Sequence, residues 1–231
     1  MFDNIASFDI GYSSVKLIIA KRGIRNFEIL SASIEEYDLD LYATDSLSAI
    51  NDAVQRIIER VDLSDSIVIT TFPSDRVIFR NITFPFNEQS KISDTIKFEA
   101  EESIPYPVEM VSLAFQMLPP SDTGRPVILS ALKKEFIKEK INNIKDYGFS
   151  LQFAGIEGNA HLRCYEYFNS VNDENILVID LGHKKTVIDI ISNSSLLYTR
   201  SINAGLSDLI EFISETLNTT LAEAGKILKE M

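Results

Sequence analysis

The sequence predicts an α/β protein in which a βββα unit occurs twice, with an α+β segment inserted between the copies. Three observations predict it. The stretch Ile5–Ile19 is an apolar run, then Asp9-Ile10-Gly11, a short polar turn and a second apolar run; Ile176–Ile191 repeats that pattern around Asp180-Leu181-Gly182. Two apolar runs joined by a tight polar turn read as a β-hairpin. Each hairpin is followed by a third apolar run and then by residues at helical spacing, so the repeat is one long duplication, not a short-period solenoid. Asp-x-Gly alone carries little. The chain holds four, at Asp9, Asp122, Asp146 and Asp180, and only the first and last sit between apolar runs.

In chain order, the first copy has strands over 5–10, 15–21 and 26–34. A helix follows over 46–61, because Leu47, Ile50, Val54, Ile57, Ile58 and Val61 recur at i, i+3, i+4 spacing, and Ser46 is placed to cap it. Ser66–Thr71 is a short buried strand. The middle segment starts with a strand over 76–84, then a helix over 88–102 with Ile92, Ile96 and Ala100 on one side. Ile104-Pro105-Tyr106-Pro107 stops that helix, since proline lacks the amide donor and disfavours helix in the residue before it. Strands over 111–118 and 126–132 flank the loop Pro119–Gly124, and a helix over 133–147 ends at Gly148, an expected left-handed cap. A strand over 151–156 leads into a helix over 157–169, and Asn169–Glu174 is a polar joint. Strands over 175–181, 186–192 and 196–202 repeat the opening, and helices over 206–217 and 220–230 follow.

Composition narrows the function classes. At 231 residues the chain has room for a sizeable core in one large or two smaller domains. The net charge is −12, the pI about 4.7, and no basic stripe appears, which argues against nucleic acid as a partner. The acidic balance suits solubility first and a basic protein partner second. No apolar run approaches the ~18 residues of a membrane span. The start Met1–Asn4 lacks the basic region of a signal peptide, and the single cysteine, Cys164, fits a reducing cytoplasm. Cys164 lies at helical spacing among Leu162, Tyr165 and Phe168, so it is expected in the core.

The two hairpins are the candidate site. In a hairpin that grips phosphate, Gly11 would supply positive φ and close backbone approach. Ser13 and Ser14 would donate amides and hydroxyls, Lys16 would offset charge, and Asp9 would hold a water of Mg²⁺, which keeps several waters and takes few direct carboxylates. The plainer alternative is that Asp9 and Gly11 merely shape the turn. The second hairpin suits phosphate less well: Gly182 is followed by His183, Lys184 and Lys185, and Thr186 is its one hydroxyl. A solvated basic turn accounts for it. His161 and His183 belong to no cluster with zinc spacing, and neither a GxxxxGK[ST] nor a GxGxxG motif is present.

With these residues in view, the chain resembles the PilM family, the actin-like cytoplasmic proteins of type IV pilus assembly, and the related cytoplasmic part of GspL from type II secretion. Phe8–Leu17 is similar to that family's opening hairpin, and Val178–Gly182 to its second. Lys97–Glu109 resembles the signature in which an acidic helix with a Glu-Ala-Glu core runs into Ile-Pro-aromatic-Pro, and Gly155–Arg163 the segment that re-enters the first domain. The resemblance implies an actin-like, ribonuclease H-like fold. It places a first domain at 1–73 plus roughly 150–172, an inserted α+β subdomain at 74–149, and a second domain over 173–231. A full family member continues further, so the resemblance implies that this second domain is incomplete and that half of a nucleotide cradle is missing. ATP with Mg²⁺ is then expected only if a further C-terminal part completes a site of Asp9, Gly11, Ser13, Ser14, Lys16, Asp180, Gly182 and Thr186. The implied role is a non-enzymatic cytoplasmic scaffold on the inner-membrane platform. Its implied partners are the cytoplasmic segment of a membrane protein and an assembly ATPase, with Phe98 and Tyr106 as candidate partner contacts. The alternative is a nucleotide-binding actin-like ATPase or a kinase remnant.

Overall fold

The structure, a computed structural model, describes residues 4–23, 26–169 and 175–230. The joint expected at Asn169–Glu174 therefore lies, after Asn169, outside the described residues. The chain forms two compact units, one of Met1–Ile69 with Val178–Ile188 and Arg200–Met231, the other of Thr70–Leu177 with Asp189–Thr199.

Strands β1 (Asn4–Ile10), β2 (Ser14–Arg22) and β3 (Phe27–Glu36) form an antiparallel trio in which Phe8 faces Leu17 and Asp9 faces Lys16. Strict alternation sorts their side chains. Ala6, Phe8, Val15, Leu17 and Ile19 are buried on one face, and Asp9 and Lys16 are exposed on the other. Burying each large apolar side chain contributes about 1.5–3 kcal/mol.

Two helices follow, α1 (Leu39–Thr44) and α2 (Ser46–Ile58). Helix α1 was not expected; six residues are too few to show a helical period. Helix α2 buries Ala49, Ala53, Val54 and Ile57 and packs on β2 and β3. Its N-cap is Asp45, not Ser46: the Asp45 carboxylate accepts the Ser48 amide at 3.1 Å. It ends at Ile58, short of the expected 61, and Leu63 reaches the core from the following turn. Strand β4 (Ser66–Phe72) comes next.

The middle segment comprises β5 (Val77–Phe84), α3 (Gln89–Ser103), β6 (Val111–Met117), β7 (Arg125–Lys133) and α4 (Lys134–Asp146). The strands form an antiparallel sheet in the order β5-β7-β6. Ile92, Ile96 and Ala100 of α3, at i, i+4, i+8, join Phe84, Val127, Leu129 and Ala131 in one core. Pro105 ends α3 as expected, with Ile104 already extended at φ −111°. Gly148 has the left-handed φ of +84° expected of a helix-ending glycine.

Strand β8 (Leu151–Ile156) completes the first sheet, in the order β3-β2-β1-β4-β8, and helix α5 (Glu157–Phe168) follows. Helix α5 buries Gly158 and Leu162. Cys164 is exposed, contrary to expectation: two residues beyond Leu162 is about 200° around a helix, the opposite side. The second trio is β9 (Asn175–Leu181), β10 (Thr186–Ser192) and β11 (Ser195–Ile202), in the order β11-β10-β9. Helices α6 (Leu206–Leu217) and α7 (Leu221–Glu230) follow, with Asn218 left-handed at the end of α6. Among the described residues, no helix is long and apolar enough to cross a membrane.

Candidate functional site

The two hairpins turn alike. The Gly11 amide donates to the Ser14 carbonyl at 3.0 Å, and the Gly182 amide to the Lys185 carbonyl at 2.9 Å. Tyr12-Ser13 and His183-Lys184 form the tips. Neither Gly11 nor Gly182 has positive φ, which corrects the expectation for Gly11. What each needs is space. A Cβ on Gly182 would lie 2.9 Å from the Lys185 carbonyl oxygen, which the backbone cannot yield, whereas one on Gly11 would meet Ser14 O at an ordinary 3.4 Å.

In the first hairpin the expected phosphate and metal groups face one another. Asp9 accepts the Lys16 ammonium at 3.0 Å, and both side chains are about half exposed or more. Ser14 is buried. The turn carbonyls are held from behind: Tyr37 donates its amide to Ser13 O at 2.9 Å and its hydroxyl to Gly11 O at 3.2 Å.

The second hairpin is tied down more firmly. The Thr186 hydroxyl donates to Ala204 O at 2.7 Å. The amides of Leu206 and Ser207, at the start of α6, donate to Gly182 O and His183 O at 2.9 and 2.8 Å. Amides at a helix N-terminus are the donors that usually face a bound anion; here they are spent on the turn. Gly205 permits this approach, since a Cβ there would sit 2.4 Å from His183 O and 2.7 Å from Gly182 O. Its own amide donates to the Asp208 carboxylate at 2.7 Å. Burial, with the Lys184 charge second, pushes the His183 imidazole below its ordinary value, against a smaller opposite pull from Asp208.

Tyrosines link the two turns. Lys184 lies over the Tyr42 ring at 5.2 Å, Tyr42 stacks on Tyr37 at 5.1 Å with nearly parallel planes, and Tyr37 bonds the first turn. Lys185 lies 5.9 Å from the Tyr12 ring centroid. Lys184 is solvated as expected, but Lys185 is 7% exposed, so only half of the basic turn faces solvent. A cation over an aromatic ring adds about 0.5–1 kcal/mol at exposed sites. In the second hairpin the Thr186 hydroxyl and the adjoining helix amides of Leu206 and Ser207 already have partners. Sequence reading missed Tyr12, Tyr37, Tyr42 and Gly205. Their signal was position: a tyrosine at the first hairpin tip, others just past the third strand, and a glycine opening the helix after the second trio.

The two candidate partner residues sit differently. Phe98 projects from α3 with 68% of its surface exposed. Tyr106 packs against the core of the middle segment, with Lys133 Nζ 4.1 Å from its ring centroid.

Residues 7–231 match the family described as type IV pilus assembly protein PilM. The chain belongs to the PilM family. A solved PilM–PilN type IV pilus biogenesis complex holds a chain 20% identical to it, with a TM-score of 0.74, covering 98% of this chain and 69% of that one. The cytoplasmic domain of EpsL, an inner-membrane component of the type II secretion system of Vibrio cholerae, is 11% identical with a TM-score of 0.57, covering 87% and 71%. The ethanolamine utilization protein EutJ of Carboxydothermus hydrogenoformans is 13% identical with a TM-score of 0.51, covering 98% and 61%. At these identities the likeness is one of fold, and the fold is the actin-like one that the family resemblance implies.

Proposed function

We propose that this PilM-family chain is a non-enzymatic cytoplasmic scaffold of a pilus or secretion platform at the inner membrane. It docks the cytoplasmic segment of a membrane partner and an assembly ATPase. The family match over 7–231 carries the reading. The engaged donors of the second hairpin support a scaffold over an ATPase, and the set Asp9, Gly11, Ser13, Ser14, Lys16, Asp180, Gly182 and Thr186 is then a vestigial nucleotide site. That a PilM chain was solved in complex with PilN supports partner docking here.

We place the docking surface on the middle segment around Phe98, a large apolar side chain held out from a helix whose other side is fully packed. A short extended or helical peptide suits such a surface. The test is a pull-down with the cytoplasmic segment of a PilN-type partner. Phe98→Ala leaves the fold intact and weakens capture, whereas Tyr106→Ala lowers the melting temperature first, because Tyr106 belongs to the core edge. Undiminished capture by a folded Phe98→Ala chain would remove Phe98 from the interface.

A further inference from the structure

The strand β10 carries one charged residue, Asp189, in the run Val187-Ile188-Asp189-Ile190-Ile191, and it is fully buried. Its Oδ2 lies 2.7 Å from His161 Nδ1 on α5. Among the described residues its Oδ1 has no hydrogen-bond partner, and neither has the buried Thr199 Oγ1 on β11. Both atoms press on Gly158, one turn before His161: a Cβ there would lie 3.0 Å from Asp189 Oδ1 and 3.4 Å from Thr199 Oγ1. The carboxylate is thus walled by apolar and unpaired groups on one side and by an imidazole on the other. A buried charge is costly unless an opposite charge compensates it. We propose that the His161–Asp189 pair is a proton-dependent latch fastening α5 to β10, closed while the imidazole carries its proton and loosened when it loses it.

The surrounding elements carry further charged groups. On α5, Glu157 takes the Ser74 amide at 2.8 Å and Arg163 pairs with Glu166 at 2.5 Å. Strand β11 contributes Arg200, which is exposed, and β9 contributes Asp180 near the hairpin turn. An opposite charge within about 4–6 Å favours the charged form of an ionisable group, so the proton on His161 is held by Asp189. Because the folded chain then holds that proton more tightly than the unfolded one, the latch contributes fully below the ordinary imidazole value of about 6.5. Its contribution is lost as pH rises through the higher value of the folded state.

The chain has two histidines, and the second, His183, is an internal control displaced in the opposite direction. NMR titration of both imidazoles in the whole chain tests the latch. His161 is expected to titrate above its ordinary value, because the Asp189 carboxylate lies 2.7 Å from its ring. Asp189→Asn brings it down and leaves His183 in place. In urea, the folding constant of the wild type relative to His161→Gln falls on the order of tenfold between pH 6 and pH 9. A wild-type His161 that titrates at or below its ordinary value overturns the proposal, as does one indifferent to Asp189→Asn. Should Asp189→Asn not fold, the wild-type titration and the His161→Gln profile decide: a flat profile overturns it.

Discussion

Replacing Gly205 by alanine tests how the second hairpin is held. The added methyl would fall 2.4 Å from His183 O and 2.7 Å from Gly182 O, both backbone atoms. Neither can rotate away, so the start of α6 and the turn must separate. Separation costs the Leu206 and Ser207 amide bonds to those same carbonyls. Two net hydrogen bonds are worth about 0.5–1.5 kcal/mol each, and overpacking adds about 1–3 kcal/mol. The expected loss is about 2–6 kcal/mol, or on the order of 10 °C in Tm for a chain of this size. Gly11→Ala is the control: Gly11 holds in the first hairpin the place that Gly182 holds in the second, with no positive φ and an ordinary 3.4 Å neighbour. It should cost under about 1 kcal/mol, since alanine also lowers the entropy of the unfolded chain. Gly182→Ala, at 2.9 Å from Lys185 O, should fall between the two. Thermal melts and urea titrations of the three variants give the ranking. Equal Tm values for Gly205→Ala and Gly11→Ala would refute the argument that close approach, rather than backbone conformation, selects glycine at these turns.

Asp9→Asn breaks an exposed ion pair with Lys16 and should change stability by less than about 1 kcal/mol while leaving partner capture intact; loss of capture by the folded variant would show that the carboxylate has a binding role. Calorimetry with Mg²⁺-ATP should give no heat at micromolar concentrations, and a Kd near ~1 μM, worth about −8 kcal/mol, would contradict the vestigial reading of the site. Acid should weaken the fold. The Arg56 and Arg60 guanidiniums hold the Glu35 carboxyl below its ordinary range, the Ser48 hydroxyl and amide do so for Asp45, and Thr219 and Thr220 for Glu223. Such lowered groups contribute above the ordinary carboxylate range and cease to as pH falls through their folded values, so the urea midpoint should drop between about pH 6 and pH 3. A flat midpoint across that window would mean that these bonds do not persist in solution.

Much of the site was legible only as placement. The alternation around Asp9 and Asp180 located both hairpins, and the duplicated third strand located the elements that fasten them. The use of each residue was not legible. Thr186 reads as a phosphate donor but bonds Ala204 O, a residue on the far side of two strands. Lys185 reads as solvated but is covered, with the Tyr12 ring beside it. Cys164 shares an apolar helical segment with Leu162, yet the period fixes only that faces exist and not which one is buried. The His161–Asp189 pair joins residues on different elements, and its sole local trace is a carboxylate in the middle of an apolar strand.

By itself the sequence determined the order and kind of nearly every element, the duplication, the left-handed glycine after α4 and the proline stop of α3. These depend on local physics: side-chain period, backbone sterics and the missing amide of proline. Tertiary structure decided which polar atoms have anything left to offer a ligand. The amides that bond Gly182 O and His183 O, and the Ala204 carbonyl that accepts the Thr186 hydroxyl, belong to a segment about twenty residues further along the chain, and a donor can satisfy only one such demand well. Whether a hydroxyl or amide faces a ligand or the protein's own backbone is therefore settled by which chain segment packs beside it.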